Sequence, residues 1–493
     1  MSLTALPVVG RFAMPRWLPL AAVVVAAVAL RLAVRANADV SWGLTMAERW
    51  LDGARLYVDL IEVNPPATMF LYVAPVSLGR LIGIRPEIAC DALVFIAIVL
   101  SLTLSARILS KSTVVTADER WPLLALAAIV LAILPAQSFG EREHIATIAV
   151  LPPLAVACLR ASGARPSWGA IVIAGLGGGL TAIIKPYFAL AIVAAAVAAA
   201  VTARSWRVLF AVENWLAAVL LLLYGAFVWL AFPAYFTDML PLLAAVYVPV
   251  REPLPLLLVH AALPLWLSML LLLWRVGRGA MLRPPAVVLV AASAGFAVAY
   301  VVQQKGWAYH SYPMLALALL ALGHALIGAR SERFLAGAAA ALIAGVTFFW
   351  MNTGENRAAL AAPIRAIAAN PKILALSDDL SLGHPIVRMV DGVWIGRVCA
   401  LWIAHGAMVR RAAGGLDPAT AAALDRDEGR ERAMLLAAIA GGRPDVILLQ
   451  TSDATDWLAW ARADPALAGA LARYRPAAAV GEVRILARTG AEE

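Results

Sequence analysis

The stretch that decides the fold is FGEREHIATIAV, residues 139–150. Four consecutive polar residues in it, Glu141, Arg142, Glu143 and His144, stand between two long apolar runs. Glu141 and Glu143 carry the same charge two positions apart beside a bilayer, which is unfavourable unless a partner or a ligand lies near them. This group therefore marks either the boundary of a membrane span or a binding site, and the residues alone leave both readings open.

The composition around this stretch is that of a membrane protein. The chain has 493 residues, of which 63% are hydrophobic and 14% charged, whereas a soluble domain carries about 25% charged residues. Several apolar runs approach the roughly 20 residues that cross a bilayer. We therefore expect an α-helical polytopic membrane protein.

Charge and cysteine usage exclude other classes. The formal net charge is +9, but the arginines are scattered through short loops, as orientation signals are, so no nucleic-acid partner is expected. The cysteines, Cys90, Cys158 and Cys399, lie far apart and predict neither a disulfide framework nor a metal site.

The apolar runs predict about eleven spans. They lie near residues 17–36, 87–106, 121–137, 145–160, 168–184, 186–203, 208–232, 254–274, 285–302, 311–328 and 334–351. A further run, residues 67–84, follows Asn64-Pro65-Pro66, and hydropathy does not classify it.

Loop charge settles the topology. If the amino terminus is cytoplasmic and residues 67–84 do not cross, every cytoplasmic loop is basic, as the positive-inside rule requires. The basic residues of those loops are Arg107, Lys111, Arg120, Arg160, Arg165, Arg204, Arg207, Arg275, Arg278, Arg283, Arg330 and Arg333. Residues 67–84 are therefore predicted to form an interfacial helix on the outer side, and the carboxyl terminus lies outside.

The composition changes near residue 351. The segments PKILALSDD, DVILLQTSD and EVRILAR predict short strands, and the stretches near 418–440 and 454–472 predict helices. We therefore divide the chain into a transmembrane catalytic domain, residues 1–351, and an outer α/β domain, residues 352–493.

Lysine is rare, and Lys185 stands between two apolar runs that leave no room for a loop. A charge at the bilayer centre costs at least ~2.5 kcal/mol. Lys185 therefore faces a cavity, a counter-charge or a lipid headgroup, or it snorkels to the surface. Lys305 and His310, in QQKGWAYHSYP, follow another span on the same face and, with Arg142, predict a site for a lipid phosphate.

Two acidic groups are candidates for proton transfer. Asp39 directly follows the first span, where it suits a general base, and the structural alternative is an N-cap for a helix over residues 41–51. Glu141 and Glu143 would bind an acceptor or a divalent cation, or pair with Arg31, Arg35 or Lys305. Metal binding requires three or more converging groups, so no cofactor is certain and a divalent cation stays one alternative.

Four features of the sequence form a pattern. They are an outer aspartate after the first span, the segment ERWLDGARLYVDLIEVNPP (residues 48–66), an interfacial helix and a second acidic outer loop. The pattern resembles the GT-C superfamily of integral-membrane glycosyltransferases, in the branch of the protein O-mannosyltransferases (family 39) and lipid A aminoarabinose transferases. The resemblance implies transfer of a sugar from a polyprenyl phosphate to an acceptor on the outer face.

The resemblance also implies residue roles. Asp39 matches the first-loop acid, Glu141 or Glu143 the second-loop acid, and Lys185, in IIKPYF with Tyr187, the lysine that contacts the carrier phosphate. Glu62 begins an acidic–proline element. One departure is that Val40 follows Asp39 where the O-mannosyltransferases have an Asp-Glu pair, which favours a lipid or glycan acceptor over a protein.

The expected function is therefore that of an inverting hexosyl- or pentosyltransferase of a bacterial inner membrane, with its site on the periplasmic side. The catalytic candidates are Asp39, Glu141 and Glu143, and the substrate-binding candidates are Lys185, Lys305, Arg142, His144, His310, Glu62 and Tyr187. The alternatives are a transporter or flippase of lipid-linked glycans, which would normally show internal repeats, and a glycan polymerase or ligase.

Overall fold

The structure is a computed structural model that describes residue 15 and residues 17–34, 37–110, 112–328, 333–354, 357–451 and 455–490. Some predictions fall outside the described residues. They concern the basic loop residues Lys111 and Arg330, the ion-pair candidate Arg35, and residue 454, where a helix was predicted to begin.

Helices form nearly all of the first 351 residues. In chain order they are α1 (Leu18–Ala33), α2 (Ala38–Leu51), α3 (Ala67–Ile82), α4 (Pro86–Ser110), α5 (Ala117–Ala132), α6 (Arg142–Ala161), α7 (Trp168–Ile184), α8 (Ala189–Thr202), α9 (Val212–Ala231), α10 (Leu240–Leu242), α11 (Leu254–Val259), α12 (Ala262–Val276), α13 (Arg278–Met281), α14 (Pro284–Gln303), α15 (Ala308–Gly328) and α16 (Arg333–Met351). Short 3-10 turns cover Ala136–Ser138, Pro186–Phe188 and Trp206–Phe210, and π-helical turns cover Tyr235–Met239 and Leu243–Tyr247.

Each predicted span overlaps one or two of these helices, but their lengths differ from the expectation. Among the described residues, six helices are long and apolar enough to cross a membrane, or seven if α1 and α2, bent by 74° at their junction, form one span. Helices such as α7, α8 and α12 have 14 to 17 residues, fewer than the roughly 20 that a full crossing needs. The number of eleven crossings stays a prediction.

The helices α6 and α15 form the centre of the bundle. About 72% and 78% of their apolar windows are buried, whereas the values for the span Trp206–Ala231 and for α16 are 11% and 17%. The charged first turn of α6 therefore lies inside the protein, and the first turn of α15 lies there too. This placement decides the surroundings of the residues at 141–144.

The carboxyl-terminal part contains a five-stranded sheet in the order β2-β1-β3-β5-β4. Its strands are β1 (Lys372–Leu376), β2 (Val393–Trp394), β3 (Val446–Gln450), β4 (Tyr474–Val480) and β5 (Val483–Arg488). β1 pairs in parallel with β2 and β3, and β5 pairs antiparallel with β3 and β4. The three predicted strands correspond to β1, β3 and β5, and the sequence missed β2 and β4.

Helices cover this sheet. They are α17 (Ala361–Ile367), α18 (Leu380–Gly383), α19 (Ile386–Met389), α20 (Trp402–Ala412), α21 (Pro418–Gly442), α22 (Trp457–Arg462) and α23 (Pro465–Leu471). The predicted helix near 418–440 corresponds to α21. The stretch near 454–472 forms α22 and α23, because Asp464 caps α23 and Pro465 begins it.

Arg388 joins the sheet domain to the helical bundle. Its guanidinium donates to both carboxylate oxygens of Glu48, at 2.7 and 2.9 Å, and its Nε donates to Glu87 at 2.6 Å. Close by, the Ile61 amide donates to the Arg397 carbonyl oxygen at 2.8 Å. A Cβ at Gly406 would lie 2.0 Å from the Val246 carbonyl oxygen, so glycine there allows α20 to pack against the π-helical turn.

We expect Arg388→Ala to lower the free energy of unfolding by about 2 kcal/mol, because Glu48 and Glu87 lose their charge-assisted hydrogen bonds. Thermal unfolding in detergent measures the effect. The matched control is Arg80→Ala, which breaks an exposed pair with Asp52 and should cost less than about 1 kcal/mol. Equal losses in both variants would contradict the assigned role of Arg388.

Candidate active site

The start of α6 carries three charged side chains: Glu141 and Arg142 contact the start of α2, and Glu143 contacts Lys185 at the end of α7. Gly140, at φ +84°, turns the chain into α6, and its carbonyl oxygen accepts from the Tyr72 hydroxyl at 3.0 Å. Successive residues of a helix project about 100° apart. Glu141, Arg142 and Glu143 therefore face different neighbours.

Arg142 pairs with Asp39. The Arg142 Nη2 donates to Asp39 Oδ1 at 2.9 Å, and the Arg142 side chain is 5% exposed while that of Asp39 is 24% exposed. Asn37 caps α2, accepting from the Val40 amide at 2.9 Å, and its own amide donates to Glu141. The alternative of Asp39 as an N-cap is therefore wrong, since α2 begins at Ala38 and Asp39 lies in its first turn.

Lys185 pairs with Glu143 in the interior. Their side chains are 6% and 0% exposed, so Lys185 does not snorkel to a surface. It lies at the break between α7 and the turn Pro186–Phe188, in extended conformation, as a residue before proline prefers. The sequence offered a counter-charge as one alternative for Lys185, and the counter-charge is Glu143.

Gln303 and His310 complete this cluster. The Lys185 Nζ lies 3.2 Å from both Gln303 Oε1 and His310 Nε2, and His310 Nε2 lies 3.5 Å from Glu143 Oε1. The Tyr187 hydroxyl donates to Gln303 Oε1 at 2.7 Å. Because an ammonium group only donates, the His310 Nε2 accepts from it and the ring is neutral.

Several polar atoms of this cluster are buried and have no hydrogen-bond partner among the described residues. They are Glu141 Oε2, Arg142 Nε, Glu143 Oε2 and His310 Nδ1. An unsatisfied buried donor or acceptor costs about 1–3 kcal/mol. A polar substrate that bonded to these atoms would remove that cost.

His144 lies beside the cluster but has a different role. Its Nδ1 accepts from the Gly140 amide at 3.0 Å, and its Nε2 lies 2.7 Å from the Leu131 carbonyl oxygen, to which it donates. The rings of Phe139 and Tyr312 flank it, with centroids at 4.9 and 5.4 Å. Both ring nitrogens are thus occupied by backbone groups, so the structure does not offer His144 to a substrate.

Lys305 also lies apart from the Lys185 cluster. Its ammonium donates to the carbonyl oxygens of Tyr247 and Val250, at 2.9 and 2.5 Å, and lies 3.8 Å from the Tyr247 ring centroid. Lys305 therefore ties two loops together. Burial, together with the nearby charge of Arg251, lowers the pKa of Lys305 to about 8.

Glu62 stabilises the segments next to the charged cluster. It accepts from the Trp42 indole at 2.7 Å and from the Asn64 amide groups at 3.0 and 2.6 Å. These bonds fix the chain before α3 against α2, and Glu62 has no hydrogen bond to the Asp39 or Glu143 clusters among the described residues.

Sequence reasoning missed Asn37 and Gln303, and it also missed Tyr247. Desolvation raises the pKa of Tyr247, whose hydroxyl feels the charges of Arg142 and Asp39. Tyr247 also packs edge-on against Trp402 of α20, with centroids 6.0 Å apart. It therefore lies between the cluster and the sheet domain.

The carboxylates here do not form a metal site. Arg142 neutralises Asp39 and Lys185 neutralises Glu143. The described part of the chain holds no group of three or more His, Cys, Asp or Glu side chains that could bind a metal ion. These residues do not fit the divalent cation that the sequence left open, and we derive no step through one.

Two solved structures share the fold over almost the whole chain. ArnT from Cupriavidus metallidurans bound to undecaprenyl phosphate matches with a TM-score of 0.57 at 13% identity, covering 96% of this chain and 98% of that chain. Apo ArnT from the same organism gives 0.51 at 14% identity, covering 95% and 98%. No protein-family model and no curated protein matches the sequence. The expected fold, a helical membrane bundle with a small carboxyl-terminal α/β domain, is confirmed and is shared with ArnT.

We expect Lys305 to react with an acetylating reagent in a pH-dependent way. The neutral amine is the reactive form, so its acetylation rate should rise with pH up to about 8, the pKa of Lys305, and level off above it. Mass spectrometry of peptides from the whole protein measures this. In Arg251→Gln the rise should move to higher pH, because the Arg251 charge lowers this pKa, and an unchanged profile would contradict the assignment.

Proposed function

We propose that this chain transfers a sugar from a polyprenyl-phosphate donor to a lipid or glycan acceptor. The observation that carries the proposal is the pair of buried ion pairs, Arg142–Asp39 and Lys185–Glu143, formed from neighbouring positions of one helical turn. The fold shared with ArnT, which was solved with undecaprenyl phosphate, supports the choice of donor class.

Arg142 and Lys185 would bind the donor phosphate. Guanidinium and ammonium groups form strong, charge-assisted bonds with phosphate oxygens, and both of these groups are nearly excluded from solvent. In such a site they stabilise the charge that develops as the phosphate leaves. The unpartnered Arg142 Nε and His310 Nδ1 supply two further donors.

Asp39 is the proposed general base. The carboxylate side chain of Asp39 is 24% exposed, whereas Glu141 and Glu143 are fully buried. Asp39 is therefore the carboxylate that an acceptor reaches most directly. Glu143 holds Lys185, and Glu141 holds Asn37, the residue that caps α2 next to Asp39.

The transfer is then a single displacement. The acceptor hydroxyl oxygen forms a bond to the anomeric carbon while the bond from that carbon to the phosphate oxygen breaks. The bonding electron pair leaves with the polyprenyl phosphate, and the hydroxyl proton passes to Asp39. One displacement inverts the anomeric centre, and a hexose or a pentose satisfies the same chemistry.

We place this site on the periplasmic face of a bacterial inner membrane. The cluster lies at the amino-terminal end of α6. At its other end lie Arg160, in the last turn of α6, and Arg165, in the loop that follows. The positive-inside rule makes that other end cytoplasmic. The sheet domain, held by Arg388, lies on the same side as the cluster.

We expect Asp39→Asn and Lys185→Ala each to reduce sugar transfer by at least about 100-fold, since each removes a group that acts in the transition state. The assay follows radiolabelled polyprenyl-monophosphate sugar and the release of the bare carrier phosphate. Matched controls are Asp52→Asn, at the exposed end of α2, and Lys372→Ala, on the exposed side of β1.

Full activity in Asp39→Asn or Lys185→Ala would show that the replaced residue does not have the proposed role. Loss of activity counts only if size-exclusion chromatography and thermal unfolding show a folded variant. Lys185→Ala leaves Glu143 buried without its counter-charge, which costs about 3–5 kcal/mol. Lys185→Met with Glu143→Gln is therefore included, because it removes both charges and should be equally inactive.

The donor that the protein uses distinguishes a monophosphate-dependent glycosyltransferase from a polymerase, a ligase or a flippase. Purified wild-type protein should release carrier phosphate from a polyprenyl-monophosphate sugar in the presence of a lipid acceptor. Release from a diphosphate-linked glycan alone would favour a polymerase or ligase. Movement of an intact lipid-linked glycan across vesicles, without any bond cleavage, would favour a flippase.

A further inference from the structure

Two arginines, Arg49 in the last turn of α2 and Arg397 after β2, meet where the loop between α2 and α3 contacts the sheet domain. The Arg49 Nη1 donates to the carbonyl oxygen of Gly396, the residue before Arg397. The Arg397 Nη2 donates to the carbonyl oxygen of Val58, the residue before Asp59. These two bonds hold both guanidinium groups at one junction.

The carboxylates next to these contacts along the chain are all paired with other arginines. They are Asp59 with Arg55, Glu48 with Arg388, and Asp52 with Arg80. Asp59 attracts Arg49 and Arg397 only over a longer distance. Because each neighbouring carboxylate is occupied, neither Arg49 nor Arg397 forms an ion pair with any residue that the structure describes.

The junction therefore has an excess of positive charge. The guanidinium groups of Arg49 and Arg397 repel each other, and both side chains are half-buried, so that solvent and salt screen this repulsion incompletely. The Arg397 Nε is buried and has no hydrogen-bond partner within the described ranges. An oxyanion bound at the junction would neutralise the repulsion and accept hydrogen bonds from both arginines.

A row of aromatic rings leads from this junction to the apolar surface of the bundle. Trp50, which follows Arg49, packs edge-on against Phe70, with ring centroids 5.7 Å apart. Phe70 lies 6.2 Å from Phe227 of α9, whose side chain is 46% exposed. Aromatic rings beside an apolar helix surface are typical of the headgroup level of a membrane. Arg49 therefore lies close to the depth at which lipid phosphates are found.

We propose that Arg49 and Arg397 bind the phosphate group of an anionic membrane lipid beside the sheet domain. Guanidinium groups form charge-assisted hydrogen bonds with phosphate oxygens, and basic residues at the membrane surface attract anionic headgroups. Arg49 follows Asp39 by ten residues on α2, which is about 15 Å along a helix. The site is therefore separate from the candidate active site and does not depend on the proposed transfer reaction.

Native mass spectrometry of the whole protein in detergent tests the proposal, with phosphatidylglycerol as the probe and phosphatidylcholine of the same chains as the reference. We expect the first bound lipid to show a preference of about tenfold for phosphatidylglycerol, because two arginines attract its net negative charge. The preference should weaken as ammonium acetate rises from about 0.1 to 1 M, since the Debye length falls from about 10 to 3 Å. Equal binding of the two lipids would overturn the proposal.

Variants assign the preference to these two arginines. Arg49→Gln with Arg397→Gln should remove it, whereas Arg49→Lys with Arg397→Lys keeps both charges and should retain it. The matched control is Arg80→Gln with Arg85→Gln, two exposed arginines near the same loop that already have carboxylate partners. An unchanged preference in the double glutamine variant, or an equal loss in the control, would refute the assignment.

Thermal unfolding with and without lipid separates binding from a purely structural role. Phosphatidylglycerol should raise the Tm of the wild type more than phosphatidylcholine does, and the double glutamine variant should lose this difference. A variant that unfolds earlier but keeps the full difference would show that the arginines only fasten the sheet domain.

Two further arms complete the experiment. Arg49→Gln alone leaves the bond from Arg397 to Val58 in place, so it tests the proposal if the double variant does not fold, and it should reduce the lipid preference about threefold. An unchanged preference in this single variant would contradict the role of Arg49. Inorganic phosphate is the free anion, and a rise in Tm with millimolar phosphate equal to that with phosphatidylglycerol would overturn the choice of a lipid.

Discussion

Charge buried at the helix ends of an apolar bundle must be neutralised where it lies, and this constraint organises the protein. Arg142 pairs with Asp39 and Lys185 with Glu143, all four drawn from the ends of α2, α6 and α7. Gln303 and His310 extend the network to α14 and α15. Segments distant in the chain therefore meet at one place, because each charge requires a partner from another helix.

Stability alone does not explain such a network of buried charges. Replacing buried ion pairs by well-packed apolar residues is often neutral or stabilising, and here some polar atoms lack any partner among the described residues. The arrangement is better suited to a substrate that brings its own negative charge. The proposed donor phosphate would accept the same hydrogen-bond donors, and Arg142 and Lys185 already hold those donors in place.

The remaining structure holds this cluster in place and covers it. Asn37, by capping α2 and bonding Glu141, fixes Asp39 against α6. Arg388 fastens the sheet domain to Glu48 and Glu87, and Lys305 fastens the loop that carries Tyr247. At the other end of α6, Arg160 and Glu213 neutralise each other in the same way. At both ends of α6, a buried charge is therefore paired with an opposite charge from another helix.

What the sequence by itself determined follows from local properties. Apolar runs and short apolar segments predicted the helical membrane class and β1, β3 and β5. Loop charge predicted the outer position of the acidic motifs, and that position stays a prediction. Asp39, Glu143, Lys185 and His310 were recognisable because charge is rare in apolar surroundings. What only the tertiary structure decided is which polar groups meet. The sequence did not single out Gln303 and Asn37, and backbone groups bind the side chains of His144 and Lys305, which the sequence predicted as substrate-binding residues. Partners across helices depend on packing, which no local pattern encodes.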